Sequence, residues 1–166
     1  TSGAGDSLLA SYDADTDATV QLNMQGVETL TTVLGDSNTE LDMDMSLVTG
    51  LTLMNISDTS SESVELSSLA AGVTVDVTST EAVDTTVEIQ RAVVTGTESQ
   101  SVNVSAASAD DGVAIVMADV ETLVVKPESA NQVDLNLAGL SMTASGATMA
   151  VNFIGANDVE LVGLGA

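Results

Sequence analysis

The sequence predicts an all-β protein, a parallel β-solenoid (β-helix) with about 20–25 residues in each rung. Three observations carry that expectation. Val, Thr and Ile number 23, 20 and 4 among 166 residues, and β-branched side chains favour the pleated strand over the helix. A unit of two alternating strands around a small-residue turn recurs along the chain. No segment carries the 3.6-residue apolar period of an amphipathic helix.

The elements follow in order. Residues 19–33 (TVQLNMQGVETLTTV), 39–56 (TELDMDMSLVTGLTLMNI), 63–77 (SVELSSLAAGVTVDV) and 132–144 (QVDLNLAGLSMTA) share one skeleton. Each reads as an apolar–polar–apolar strand, a turn with glycine and a second such strand. The central apolar residues are Leu22, Leu41, Leu66, Ile89, Ile115 and Leu135, in steps of 19, 25, 23, 26 and 20 residues. One such rung cannot bury its apolar face alone. Stacking rungs at about 4.8 Å aligns like strands in parallel and builds one continuous core. A narrow coil admits medium aliphatic side chains, in keeping with one Phe, one Tyr and no Trp. Gly26, Gly50, Gly72, Gly96, Gly112 and Gly139 recur near the expected corners, where positive φ is needed. Pro127 follows the strand-like run 119–126 and marks a loop excursion.

The alternative is an antiparallel β-sandwich, which also has short alternating strands. That fold is built on hairpin turns, and Asp111-Gly112 is the single Asn-Gly or Asp-Gly pair in the chain. No composition break divides the sequence, so residues 1–166 read as a single solenoid domain. A chain that starts at Thr1 without Met reads as a processed product or a segment of a larger secreted protein.

Composition excludes several function classes. Twenty-five acids against two bases give a net charge of −23, yet 44% of residues are hydrophobic, too many for a chain disordered by charge. Without Cys there is no disulfide, thiolate zinc site or cysteine nucleophile. Without His there is no Ser–His relay and no imidazole ligand. Arg91 and Lys126 are the whole cationic supply, which argues against nucleic acid and anionic membrane surfaces as partners. No apolar run approaches the length of about 20 residues that spans a bilayer, so direct membrane insertion is not expected. Catalysis on acidic polysaccharides needs cations or a metal beside the substrate carboxylate. Clefts for neutral glycans usually carry aromatic platforms, and here Tyr12 and Phe153 are the only rings. A non-catalytic protein is expected. The seven methionines alternate with Leu and Val and read as core filling.

The candidate metal ligands are carboxylates. Asp13, Asp15 and Asp17 alternate in sequence, so their oxygens converge on one side of an extended segment, as a hard cation such as calcium requires. The EF-hand loop begins in this way but demands Gly and Glu where this chain has Ala18 and Met24. Asp110 and Asp111, before Gly112, form a second, weaker candidate. Asp42 and Asp44 are another weak candidate, but they alternate with Leu41, Met43 and Met45 and read first as the wet face of a strand.

The strings Val27-Glu-Thr-Leu30, Asp119-Val-Glu-Thr-Leu123 and Asp158-Val-Glu-Leu161, with Leu47-Val-Thr-Gly-Leu-Thr-Leu53, resemble the S-layer and large-adhesin branch of the secreted repeats-in-toxin proteins. The family's glycine–aspartate calcium repeat is not reproduced, and only Gly3-Ala-Gly-Asp-Ser-Leu8 approaches it. The resemblance implies an extracellular protein of the bacterial cell surface, calcium as cofactor, and a lattice or homo-oligomer of like copies. It implies a structural role as an S-layer, sheath or filament subunit. The alternative within the same resemblance is an adhesin stalk or ligand-binding module, with a cell-surface polysaccharide as its partner.

Overall fold

The computed structural model describes residues 5–12, 16–35, 40–58, 63–80, 85–93, 98–108, 111–143, 147–155 and 157–164. Fourteen strands run in chain order: β1 (Ser7–Tyr12), β2 (Ala18–Gln25), β3 (Thr29–Leu34), β4 (Glu40–Thr49), β5 (Leu53–Asp58), β6 (Ser63–Leu69) and β7 (Thr74–Ser79). They continue as β8 (Thr85–Arg91), β9 (Ser99–Ala106), β10 (Gly112–Ala118), β11 (Thr122–Pro127), β12 (Val133–Ser141), β13 (Ala150–Phe153) and β14 (Val159–Leu164). Successive strands alternate between two seven-stranded sheets, one holding all odd-numbered strands and the other all even-numbered ones. Each interior strand pairs in parallel with the strands one coil before and after it. The fold is a β-solenoid with no helix among the described residues. Among the described residues no helix is therefore long and apolar enough to cross a membrane.

Alternation explains why these residues make these strands. In β7 and β8 every second side chain is buried and the intervening ones face outward, the period-two pattern of a strand with one wet face. Inward residues stack on their equivalents in neighbouring coils. In the odd sheet Leu8, Leu30, Met54, Val75, Val102, Val125 and Phe153 form one column. In the even sheet Met43, Leu66, Ile89 and Met117 form another. Columns from the two sheets meet in one aliphatic core.

The register differs from the sequence reading in detail. Leu41, Leu66, Ile89, Ile115 and Leu135 are all buried, but they fall in three columns: Leu66 with Ile89, Leu41 with Ile115 through Val64 and Val87, and Leu135 apart. Leu41 stands opposite Val64, Ile115 opposite Val87 and Leu135 opposite Val113. Leu22 is only partly buried and lies where the β2–β4 register slips between Gln21 and Asn23. Further slips follow Ala114 in β10 and Leu135 in β12. A bulge shifts the inward set by one residue, and a constant sequence period cannot follow it.

The corners divide the glycines into two kinds. Gly26, Gly50 and Gly72 have positive φ, and a Cβ on Gly50 would come within 3.2 Å of the Gly26 Cα. Those two corners stack backbone on backbone. Gly139 was expected at a corner but sits inside β12. There a Cβ would meet Val116 Cγ2 at 2.7 Å, so the position serves close strand packing. At the corner after β10, Asp119 itself adopts φ 56°. Its carboxylate accepts hydrogen bonds from the N–H and hydroxyl of Thr143 one coil on. Pro127 does not open an excursion either: it is the buried last residue of β11.

Candidate functional site

The outer face of the even sheet carries a ladder of carboxylates. Asp42 on β4 pairs in register with Glu65 on β6, and Glu65 with Glu88 on β8. The ladder arises because Leu41-Asp-Met43, Val64-Glu-Leu66 and Val87-Glu-Ile89 repeat one pattern from coil to coil. The flanking apolar residues fill the core and turn the acid outward each time. Glu40, two positions before Asp42, completes the group. Ligand oxygens of Glu40, Asp42 and Glu65 all lie within 4.8 Å of one another.

Like charges directly opposite on a sheet repel, and the surroundings sharpen the effect. Burial, followed by the charges of Glu88, Asp42 and Glu40, holds the Glu65 carboxyl above the usual glutamate range. Asp42 accepts from the Thr19 hydroxyl at 3.3 Å through Oδ2, while its Oδ1 is shielded from solvent without a hydrogen-bond partner. Asp44, on the same face, is satisfied differently. It accepts from the Ser46 N–H at 2.9 Å and from Gln21 Nε2 at 2.8 Å, and these bonds, the backbone one first, lower its pKa.

The chain's two cations are engaged elsewhere. Lys126 pairs with Glu128. Arg91 Nη1 donates to Gln100 Oε1 at 2.5 Å. Gln100 is fully buried and donates in turn to the carbonyls of Val73 and Ser101. Burial lowers the Arg91 pKa against the raising influence of Glu98.

The donor set of Glu40, Asp42 and Glu65 suits a hard, oxygen-seeking cation. Calcium takes about 6–8 oxygens at about 2.3–2.6 Å, and three carboxylates on one open face leave room for waters to supply the rest. The residues present therefore fit calcium better than zinc or copper, which favour imidazole or thiolate donors.

Two of the five sequence-predicted ligands, Asp17 and Asp111, lie among the described residues. Asp13, Asp15 and Asp110 lie outside the described residues. Asp17 accepts the Glu40 N–H at 3.1 Å, which places it beside the ladder at the entry to β4. Asp111 is buried in the corner between β9 and β10, where it accepts from the Ser108 N–H and hydroxyl, each at 2.6 Å. Its carboxylate anchors that turn, remote in sequence from the ladder. The sequence pairs Asp42 with Asp44 as a weak candidate and does not reveal the ladder, because its members are a full coil apart. The signal available was the spacing of 23 residues that separates Asp42, Glu65 and Glu88. Comparison of the chain with protein-family models, with curated proteins and with solved structures finds no match.

Proposed function

We propose that this chain is a structural, self-assembling protein of the bacterial cell surface, an S-layer, sheath or filament subunit, with calcium assisting its association. The observation that carries the reading is the continuous stack of two seven-stranded parallel sheets around one aliphatic core. Such a stacked core makes a stiff rod or slab, as a structural subunit requires. At −23, copies repel over about one Debye length, about 8 Å at physiological salt. Calcium screens that repulsion and also bridges carboxylates of two partners, which sodium does not.

Light scattering at matched ionic strength tests the proposal. Association in millimolar calcium, reversed by chelation and not reproduced by sodium chloride, is the expected result. Monodisperse monomers in every condition overturn it and favour an adhesin stalk.

A further inference from the structure

The geometry points to one long edge of the solenoid as a docking surface for a second copy, the corners β4–β5, β6–β7 and β8–β9 of two copies packing side by side about a twofold axis. The inference rests on the self-assembly reading above and names one of its contacts. The corners of the stack form two edges of opposite character. Every segment that leads from an odd strand to the next even one carries an acid: 13–17, 35–39, 59–62, 80–84, 107–111, 128–132 and 154–158. On the other edge the runs 45–53, 66–75 and 89–93 carry none, and Arg91 is their single charge. These three corners join neighbouring strands in the middle of both sheets, so their exposure is set by the coil and not by whatever adjoins its ends.

The edge is apolar as well as uncharged. Leu47 is 46% and Val93 67% exposed, and Gly50, Ala71, Gly72 and Ala92 beside them are exposed and small, which lets two backbones approach. Between the first two corners lies a cavity of about 270 Å³ lined by Met45, Gly50, Leu69 and Val73. The strip thus carries both a knob and a hole, as an isologous contact requires. An antiparallel twofold through Ala71 sets the β8–β9 corner of each copy over the β4–β5 corner of the other, and Val93 enters the cavity. Charge also selects a second copy. At −23 the acidic faces of two copies repel, whereas these strips meet without opposing acids. The same twofold brings Glu28, at one margin of the strip, toward Asp119 and Glu121 at the other. Calcium shared by those carboxylates makes the contact cation-dependent although its centre is neutral. Three corners spaced about 4.8 Å apart form a small patch, suited to a weak contact repeated through a lattice.

The chain lacks cysteine, so single thiols report the geometry. Ala71→Cys on this edge and Ala107→Cys on the acidic one replace exposed alanines, and both should keep the wild-type circular-dichroism melt. The twofold brings the two copies of residue 71 into disulfide range. Oxidised in millimolar calcium, Ala71→Cys should therefore give at least tenfold more disulfide dimer than Ala107→Cys. Adding Val93→Asp, at a site open enough to leave the fold intact, should lower that dimer at least tenfold. In a mixture, Leu47→Cys and Val93→Cys should cross-link with each other, and homodimers of each variant instead overturn the antiparallel arrangement. Equal dimer from Ala71→Cys and Ala107→Cys overturns the edge contact. So does assembly by light scattering without the Ala71→Cys disulfide, or with a disulfide indifferent to Val93→Asp, and these outcomes leave self-assembly standing. Absence of any assembly overturns both.

Discussion

Asp42 and Glu65 sit opposite one another on parallel strands β4 and β6, two carboxylates in register on one wet face. Glu88 extends the stack from β8. No cation of the chain relieves it, since Lys126 binds Glu128 and Arg91 binds Gln100. This stretch of the even sheet stores repulsion that protonation, mutation or a bound cation releases.

Protonation gives the first prediction. The Glu65 pKa is raised by burial and by its acidic neighbours, and burial also raises that of Asp76. The folded state therefore binds these protons more tightly than the unfolded chain does. In calcium-free buffer, stability should rise as pH falls from neutrality toward about 4.3, the ordinary glutamate value. Below that, the lowered pKa values of Asp44 and Asp119 reverse the trend, because their hydrogen-bonded charged forms are lost. Urea titrations across pH should show a maximum in the mildly acidic range, and Glu65→Gln should flatten the limb above it. A stability that climbs steadily from pH 5 to 8 contradicts the ladder.

Calcium gives the second. Occupation of the Glu40, Asp42 and Glu65 oxygens should raise the melting temperature at millimolar concentrations, the affinity range of extracellular calcium modules. The double variant Asp42→Asn, Glu65→Gln should lose that increment while melting no lower than wild type without calcium, since each replacement removes a repulsion of about 0.2–1 kcal/mol. The triple variant Asp13→Ala, Asp15→Ala, Asp17→Ala provides the comparison. If it alone abolishes the calcium shift, the cation belongs to the first loop.

Close packing at Gly139 gives the third. A methyl group there meets Val116 Cγ2 at 2.7 Å and its Cα at 3.0 Å, so Gly139→Ala should cost about 1–3 kcal/mol, the usual range for overpacking. Adding Val116→Ala removes the nearer atom but not the backbone one. The double variant should recover only part of the loss in a thermal melt. Full recovery would place the strain in the side chain alone.

The architecture was legible because coils two to four are nearly equal in length. Leu41-Asp-Met43, Val64-Glu-Leu66 and Val87-Glu-Ile89 recur in phase, and that recurrence is the solenoid written in sequence. The phase is lost beyond Arg91, where the corner before β9 is longer and β10 and β12 slip register. Glycine marked the corners at Gly26, Gly50 and Gly72, but Asp119 turns one without it. The candidate site was less legible for a related reason. Asp13, Asp15 and Asp17 draw attention because they are close in sequence, whereas Asp42 and Glu65 become neighbours only once the coil has closed.

The last prediction tests how far the stacked core acts as one body. Leu66 is fully buried between Met43 below and Ile89 above. Leu22, in the first coil, is only partly covered. Truncating a buried leucine costs about 2–5 kcal/mol, with the larger values where the surroundings cannot collapse. Parallel neighbours held by backbone ladders on both sides have little freedom to close such a cavity, so Leu66→Ala should fall in the upper part of that range. Leu22→Ala should cost less than about 2 kcal/mol, because water already reaches the site. In a solenoid, stability is a sum of coil and interface contributions, so the position of a loss also decides how it spreads. Loss at Leu66 weakens two interfaces in the middle of the stack and should lower the single melting transition as a whole. Loss at Leu22 should fray the first coil alone, seen as early hydrogen exchange in β1 and β2 with the main transition unmoved. Equal shifts of the main transition by both substitutions would show that the first coil is as tightly coupled as the centre.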